Sequence, residues 1–568
     1  MAEKIVSPGV FTSEIDESFL PAAIGDIGAA IVGPTVRGPA LIPTVVESYG
    51  EFKTIFGEAF TSGSITRQYY TSYAAREYLK HGNRLTVVRV LDSGYGPASA
   101  SLEGGNAGGN ISFDLETLGN GAEFNNNPGH GNSTEYSLVG GMRDYNFKVE
   151  ITATSSVNDT FNMLVRRGDD TDTKKIILET WNNLSMQPTA SNYVAKVIGD
   201  QSVSFDSSGP FLAYTGQYIN KSKYVRVKNI NSGSGLYQTP YVTSSYYFAG
   251  GTNGTGWIKD GGTPLFRDEI SNTDSQGLTL SSAKTNYKDA LSLLGNQDEY
   301  DINLLFTPGI IYGQGANHNE IINHAIDKVE SRADCFYVFD SAGLNDAPAT
   351  QNSNVESFDT NYAATYYPWI EIADPATGQL VMVPPSVGLA GVYAFNDKVG
   401  HSWNAPAGLN RGVIDSAMGA VRKLSNDNRD TLYEKNVNPI ASFPGQGVTV
   451  WGQKTLQRKA SALDRVNVRR LLIRVKKFIA SSSKFLVFEQ NNAALRRRFL
   501  NIVTPFLEQV QSNAGLTAFR VVMDDSNNSP DLVDRNILFG QVFLQPAKTA
   551  EFIVLDFTVQ PTGASFPE

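Results

Sequence analysis

The sequence predicts a multidomain protein of class α/β plus all-β. Helical and strand patterns alternate over residues 21–94 and again over 273–440, which indicates a mostly parallel sheet covered by helices. Between these segments, residues 95–272 are rich in Gly, Asn, Ser and Thr and carry short alternating strands, the pattern of an inserted antiparallel β-sandwich or barrel. At 568 residues the chain is also too long for one hydrophobic core.

The N-terminal part begins with an expected extended arm over residues 1–20. Its alternation over residues 7–16 predicts one strand without a hairpin partner, whose backbone groups must pair elsewhere. The first α/β segment follows with these predicted elements: strands at 29–33 and 44–46, a helix at 65–81 and a buried strand at 85–90.

The inserted block and the second α/β segment follow. Within 95–272, strands such as 147–153 and 223–227 recur between turns, after a boundary loop at 104–110, and we expect two β units. The elements predicted for 273–440 are a helix at 284–294, a strand at 302–306 ending in the turn 307–309, a helix at 320–331, and strands at 335–339 and 369–372.

A C-terminal α+β module is expected over residues 441–545. Its predicted elements are helices at 463–480 and 491–513 and strands at 519–523 and 539–544. The last segment, 546–568, contains a further predicted strand at 551–559 and is expected to form a second arm.

Composition excludes several classes of protein. A formal net charge of −10 argues against a surface devoted to nucleic acid. The single cysteine, Cys335, excludes internal disulfides and lies in an apolar run, so we expect a buried, inert thiol. The N-terminus lacks a signal-peptide pattern and no run of 18 apolar residues occurs, so we expect a protein made in a cytoplasm without membrane insertion.

Catalytic templates find no match in this sequence. Phosphate-binding, zinc-protease, nucleophile-elbow and dinucleotide motifs are missing. His318 and His324, the closest pair of histidines, lie six residues apart on different helix faces, so solvated or capping roles are expected rather than a metal pair. Asp340 follows a strand, where catalytic carboxylates often lie, but no readable Ser or His partner accompanies it. No catalytic residue, cofactor or metal is therefore predicted.

Two series of motifs carry a family resemblance. In the second α/β segment they are Tyr366-Tyr367-Pro368-Trp369, Pro384-Pro385-Ser386, Ala390-Gly391 and Ala405-Pro406-Ala407-Gly408, in which the prolines are expected to rigidify turns. In the C-terminal part they are Trp451-Gly452-Gln453-Lys454-Thr455-Leu456, Asn467-Val468-Arg469-Arg470-Leu471, Phe488-Glu489-Gln490-Asn491-Asn492 and Pro546-Ala547-Lys548-Thr549-Ala550-Glu551. This order resembles contractile tail sheath proteins of myovirus phages, over about residues 1–92 and 275–560. Lys454 and Gln490 depart from the family pattern, which has Arg and Pro there.

The resemblance implies mechanical assembly. Sheath proteins have a subtilisin-like α/β layer without protease activity, and many copies stack helically around a rigid tube. A baseplate signal triggers shortening, which drives the tube through the host cell envelope for genome delivery. The implied partners are further copies of the chain, the tail tube protein, and baseplate and tail terminator proteins, with no direct nucleic acid. The implied location is the tail of the virion, assembled in the host cytoplasm.

Candidate contact residues fall into two groups. The arm residues expected to add strands to sheets of neighbouring copies are Val10, Phe11, Ile15, Phe552, Val554, Leu555 and Phe557. The second group comes from residues 441–500, where thirteen basic residues against two acidic ones give a net charge of +11 and leave −21 for the rest of the chain. The basic residues expected on helix surfaces, in contact with the tube or a neighbouring copy, are Arg465, Arg469, Arg470, Arg474, Lys476, Lys477, Arg496, Arg497 and Arg498.

Other hypotheses remain open from the sequence. The β-rich block 95–270 favours a virion protein that binds a receptor or a glycan, and a sheath of a bacteriocin-like injection machine fits the same motifs. A hydrolase is the enzyme alternative. The basic helices would also suit nucleic acid, although no aromatic residues are interleaved for base stacking, or they form a solvated face.

Overall fold

The computed structural model describes residues 28–62, 65–104, 111–126, 144–155, 159–206, 208–231, 239–254 and 270–551. Among these residues, contacts divide the chain into two compact units. One comprises residues 28–474 together with 548–551, and the other comprises residues 475–547. The predicted arm strand at 7–16, all but the first residue of the strand predicted at 551–559, and all seven arm residues named above lie outside the described residues.

The first α/β segment contains β1 (Gly28–Gly33), β2 (Thr44–Val46), α1 (Tyr49–Phe56), β3 (Ala59–Ser62), β4 (Ile65–Gln68), α2 (Tyr70–Leu79) and β5 (Leu85–Arg89). The three predicted strands are confirmed. The helix predicted over 65–81 starts later, at Tyr70, because residues 65–68 pair with 59–62 as a β-hairpin. Strands β1 and β5 are buried along their whole length, as expected for parallel strands covered on both faces.

The inserted block is antiparallel, as predicted. Its elements are β6 (Pro97–Glu103), β7 (Ile111–Asn120), β8 (Phe147–Ser155), β9 (Thr160–Arg167), β10 (Ile177–Ser185), α3 (Val194–Ile198), β11 (Ser202–Asp206), β12 (Phe211–Thr215), β13 (Val225–Ile230) and β14 (Thr243–Tyr246). The sheets β10-β9-β8-β14 and β13-β7-β6 share one apolar core, from Ala98 to Phe248. The described residues therefore form one β unit where the sequence predicted two.

The second α/β segment completes the central sheet. Its elements are β15 (Asp274–Ser275), β16 (Leu278–Thr279), α4 (Leu280–Leu293), β17 (Ile302–Ile311), α5 (Ala316–Arg332), β18 (Phe336–Asp340), α6 (Pro348–Val355), β19 (Ala363–Tyr367), β20 (Ile370–Ala373), β21 (Leu380–Val383), α7 (Pro385–Val399), β22 (Ala417–Ala420), α8 (Asn426–Glu434), β23 (Asn438–Phe443) and β24 (Gly447–Val450). The sheet order is β2-β5-β1-β17-β18-β19-β23-β24. Pairing is parallel from β5 to β23, and β2 and β24 add antiparallel edges. The sheet is thus mixed, with a parallel centre.

Three predictions in this segment are wrong in detail. The turn predicted at 307–309 lies inside β17. The pairing of β17 with β18 is irregular there and leaves the carbonyls of Pro308 and Gly309 without a strand partner. Ser275 Oγ donates to Gly309 O (2.7 Å) and Gln276 Nε2 donates to Pro308 O (3.0 Å), which satisfies both groups. The Pro384-Pro385 pair opens helix α7 instead of fixing a turn, since proline suits the first helical turn. The strand predicted at 369–372 belongs to a separate antiparallel sheet, β21-β20-β22.

The C-terminal part contains both predicted long helices. Its elements are α9 (Val466–Ser483), α10 (Ala493–Ser512), β25 (Leu516–Val522), α11 (Pro530–Asp534) and β26 (Gln541–Pro546). Asn492 caps α10 by accepting from the backbone N–H groups of Ala494 and Leu495, each at 3.0 Å. Strands β25 and β26 form an antiparallel pair, which confirms the two predicted strands.

Candidate assembly surfaces

Asp340, the carboxylate in the position of a catalytic group, serves instead to hold a helix. It lies at the end of β18, where its two oxygens accept from Ser386 N (2.9 Å) and Ser386 Oγ (2.6 Å) in the first turn of α7. Burial raises the pKa of Asp340 to about 7, against the lowering effect of these two hydrogen bonds. Since both residues are at most 1% exposed, no substrate reaches them. The pair joins the sheet to α7.

The two histidines His318 and His324 and the single cysteine Cys335 also contact groups of their own chain instead of forming a reactive site. His318 is buried: its Nδ1 accepts from Ile311 N (3.1 Å) and its Nε2 lies 2.9 Å from Ser271 O. The prediction of a solvated or capping ring is therefore wrong for His318, because the ring joins the end of β17 to a loop residue. His324 lies 3.0 Å from Ser292 Oγ. Cys335 is fully buried, as predicted. Within the described ranges, no group of three potential metal ligands comes together.

Helix α9 buries two of its arginines, which corrects the prediction that all the basic residues lie on helix surfaces. Arg469 is 3% exposed and lies 3.6 Å above the ring of Tyr362. Arg470 is also 3% exposed and donates to Asp397 Oδ2 at 2.6 Å. Burial alone lowers the pKa of Arg470, but the neighbouring Asp397 carboxylate raises it above its usual value. Both guanidinium groups therefore stabilise the fold of their own chain.

The remaining basic residues differ in exposure. Arg496 is buried and pairs with Asp525, so it too leaves the predicted surface set. Arg474 and Lys477 are half-buried, whereas Lys476, Arg497 and Arg498 are exposed. Arg497 donates weakly to Ala493 O (3.4 Å) within its own helix, and neither Arg497 nor Arg498 pairs with a carboxylate that the structure describes. The exposed positive charge is thus concentrated at fewer positions than the sequence predicts.

Arg465 precedes helix α9 and anchors the residue at which the described chain ends. Its Nε and one terminal nitrogen donate to Glu551 Oε1 (2.7 Å) and Oε2 (3.0 Å). Tyr433 OH (2.9 Å) and Gln453 Nε2 (3.2 Å) donate to the same carboxylate. Burial would raise the pKa of Glu551, but these hydrogen bonds and the Arg465 charge lower it overall. Sequence reasoning missed this cluster, although Glu551 and Gln453 both lie in the quoted motifs.

A groove of about 460 Å³ lies beside this anchor. Its lining is mixed, with polar and charged residues such as Arg429 and Asp430 beside small and apolar ones. The small and apolar residues include Ala405, Ala407, Pro439 and Trp451, of which Trp451 is 43% exposed. Phe443 packs edge-on against the Trp451 ring, with ring centroids 4.6 Å apart. No sequence pattern indicates this groove, because strands β23 and β24, helix α8 and residues 549–551 meet only in the folded chain.

Helix α10 is amphipathic, with one buried and one water-facing side, whereas residues 466–471 of α9 are buried all round and only its later turns reach water. No helix in the described ranges is both long and apolar enough to cross a membrane.

Two family models match consecutive parts of the chain: the phage tail sheath protein central domain over residues 282–456 and the phage tail sheath C-terminal domain over residues 458–560. Similar proteins include the tail sheath proteins of Vibrio phage KVP40 (39% identity over 186 residues) and Enterobacteria phage T4 (37% over 186 residues), each alignment covering 33% of this chain and 28% of the relative. The tail sheath protein of Salmonella phage ViI is 26% identical over 329 residues, which cover 54% of this chain and 52% of that protein. The chain thus spans about half or less of the length of these relatives.

Solved structures show the same fold over most of the chain. The sheath tail protein of Listeria innocua has a TM-score of 0.55 at 12% identity, with 92% of this chain and 96% of that chain covered. The anti-feeding prophage helical sheath in its contracted state has a TM-score of 0.50 at 15% identity, with 97% and 99% covered. At these identities the likeness concerns the fold alone. Residues 282–560 thus consist of two phage tail sheath domains, the central and the C-terminal one.

Proposed function

We propose that this chain is the protomer of a contractile tail sheath, which polymerises helically around a tail tube and shortens to drive the tube through a host cell envelope. The observation that carries the proposal is the match of both sheath domains, consecutive and in order, over residues 282–560. The burial of Asp340 and Ser386 agrees with a structural role, because it removes the best catalytic candidate from solvent.

The proposal includes the partners and the domain roles that the family resemblance implies. Further copies of the chain, a tube protein, a baseplate and a terminator are the proposed partners, in the tail of a virion assembled in a host cytoplasm. We propose a subtilisin-like α/β layer over 21–94 and 273–440, an outward block over 95–272, and a module facing the tube over 441–545. Arms at 1–20 and 546–568 would add strands to neighbouring copies.

Electron microscopy of the purified chain tests the central claim. Negative staining should show hollow helical cylinders, whereas a receptor- or glycan-binding protein would form discrete particles. Deleting residues 1–16, or all residues after Glu551, whose carboxylate Arg465 holds, should leave a folded monomer that no longer polymerises. Normal cylinders from either truncated chain would refute the linking role of that arm.

Charge reversal tests the proposed contact of the basic residues with the tube or with a neighbouring copy. We restrict it to Arg497 and Arg498, because Arg496 is buried against Asp525 and its reversal would damage the fold. Arg497→Glu with Arg498→Glu should leave thermal stability nearly unchanged, since exposed charges contribute about 1 kcal/mol or less. Assembly of extended tails on tubes should fall for this variant, whereas higher salt should weaken the attachment of the unmodified chain. Full assembly by this variant would remove both residues from the proposed contact.

A further inference from the structure

We propose that Phe488 of one copy docks into the groove at Trp451 of a second copy of this chain. The inference rests on the proposed function, because it describes one contact within the helical polymer. It concerns two features that the family resemblance leaves without a role: an aromatic side chain fully exposed to water, and the groove beside the Glu551 anchor.

Phe488 has the properties of an interface residue. Its side chain is 104% exposed, and Val487 beside it is 58% exposed. Its backbone lies in the left-handed region, with φ of 70°, a conformation that is unfavourable for a residue with a Cβ. Both the conformation and the exposure are unfavourable in an isolated chain. Burial of the ring in a partner offsets them, because it removes a large apolar surface from water.

The groove provides matching chemistry. Ala405, Ala407 and Pro439 form an apolar lining, and the half-exposed Trp451 ring offers an aromatic contact. Gln453 also lines the groove and is 3% exposed, yet its Oε1 has no hydrogen-bond partner among the residues that the structure describes. A buried amide oxygen without a donor is costly, so it is poised to accept from a backbone N–H of an inserted segment.

Charges around the two features are complementary. Asp427, Asp430 and Glu434 are exposed and spaced i, i+3 and i+7 along α8, so they form one acidic face, and Asp430 also lines the groove. Arg497 and Arg498 follow Phe488 by nine and ten residues and are both exposed. Opposite charges at the rim of an apolar contact direct the approach of the two copies and fix their register.

The proposed contact is heterologous, because the aromatic side chain and the groove are different surfaces of the same chain. A heterologous contact joins copies head to tail, and when its rotation does not close a ring it generates an open helical filament. The pairing of Phe488 with the Trp451 groove therefore supplies one of the repeated contacts that a helical sheath requires.

The first test measures, by sedimentation, the critical concentration for cylinder formation of the Phe488→Asn variant. Asparagine tolerates the left-handed backbone, so the monomer should keep its thermal stability. We expect the critical concentration to rise by about tenfold or more. Tyr214→Asn removes an aromatic ring that is 60% exposed on the inserted β block and serves as the matched control, with no expected change.

The second test introduces Val487→Cys together with Asp430→Cys and oxidises assembled cylinders. The natural Cys335 is fully buried and does not interfere. A ladder of crosslinked oligomers is expected, and Val487→Cys with Tyr214→Cys should give none. Crosslinking within single chains, or an absence of crosslinks in well-formed cylinders, would overturn the proposal.

The outcomes separate this inference from the proposed function. If the unmodified chain forms no cylinders, both fail. If it forms cylinders and Phe488→Asn assembles at the same concentration, only the docking fails. If Phe488→Asn polymerises normally but no longer attaches to tubes, Phe488 contacts the tube and the proposed pairing is wrong.

Discussion

Replacing Arg470→Ala should destabilise the unit that contains residues 28–474, although the sequence suggests a surface arginine. The substitution removes a guanidinium that is 3% exposed, hydrogen-bonded to Asp397 at 2.6 Å and centred 5.0 Å from the Tyr393 ring. It leaves Asp397 without its cation, and it leaves a cavity beside Tyr393.

The expected cost lies between two limits. Breaking a fully buried ion pair costs about 3–5 kcal/mol, and breaking an exposed pair costs about 1 kcal/mol or less. The side chain of Asp397 is 31% exposed, so water compensates for part of its lost partner. Together with the loss of the contact to Tyr393, worth about 1 kcal/mol, we expect a destabilisation of about 2–4 kcal/mol.

Urea unfolding of the monomeric chain, followed by tryptophan fluorescence, measures this quantity. Arg497→Ala is the matched control, because it removes an exposed arginine without an ion pair in the described structure and should change stability by about 0.5 kcal/mol or less. Asp397→Ala combined with Arg470→Ala should cost less than the sum of the two single changes. Equal stability of the Arg470→Ala and Arg497→Ala variants would refute the buried ion pair.

Three further predictions concern buried polar groups. Burial raises the pKa of Asp340 to about 7, so between about pH 4 and pH 7 the folded chain holds one proton more than the unfolded chain. The stability of the fold should therefore fall as the pH rises through this window. In unfolding measurements Asp340→Asn should flatten that slope, and an unchanged slope would contradict the assignment. Burial lowers the pKa of Arg89 to about 10, and its side chain donates to the carbonyls of Thr35, Val36, Gly38 and Asn120. Arg89→Met should lower the free energy of unfolding by about 3 kcal/mol or more, because it leaves these carbonyls unpaired. Arg89→Lys should have an intermediate effect in thermal unfolding. Glu551→Gln should weaken the contact with Arg465 by about 1 kcal/mol and speed proteolysis after Lys548 several-fold. An unchanged rate of cleavage would show that Arg465 does not hold this segment.

Elements that depend on local pattern could be predicted from the sequence. Parallel strands such as β5 and β18 are mostly apolar, because helices cover both faces of the sheet, and the amphipathic spacing of α10 marks its buried side. The motif order along the C-terminal half was sufficient to indicate the sheath family. Each strand, helix or single motif is contained within about twenty consecutive residues, so no knowledge of distant contacts is needed to find it.

Which charges are available at the surface depends, in contrast, on tertiary packing. Arg469, Arg470 and Arg498 look alike in the sequence, yet the first two are buried and the third is exposed. The difference depends on partners distant along the chain, Tyr362 and Asp397, and the Glu551 anchor likewise joins residues more than eighty positions apart. A long cationic side chain can lie in solvent or in a buried pair at the same helical spacing, so only the elements packed against it settle its role.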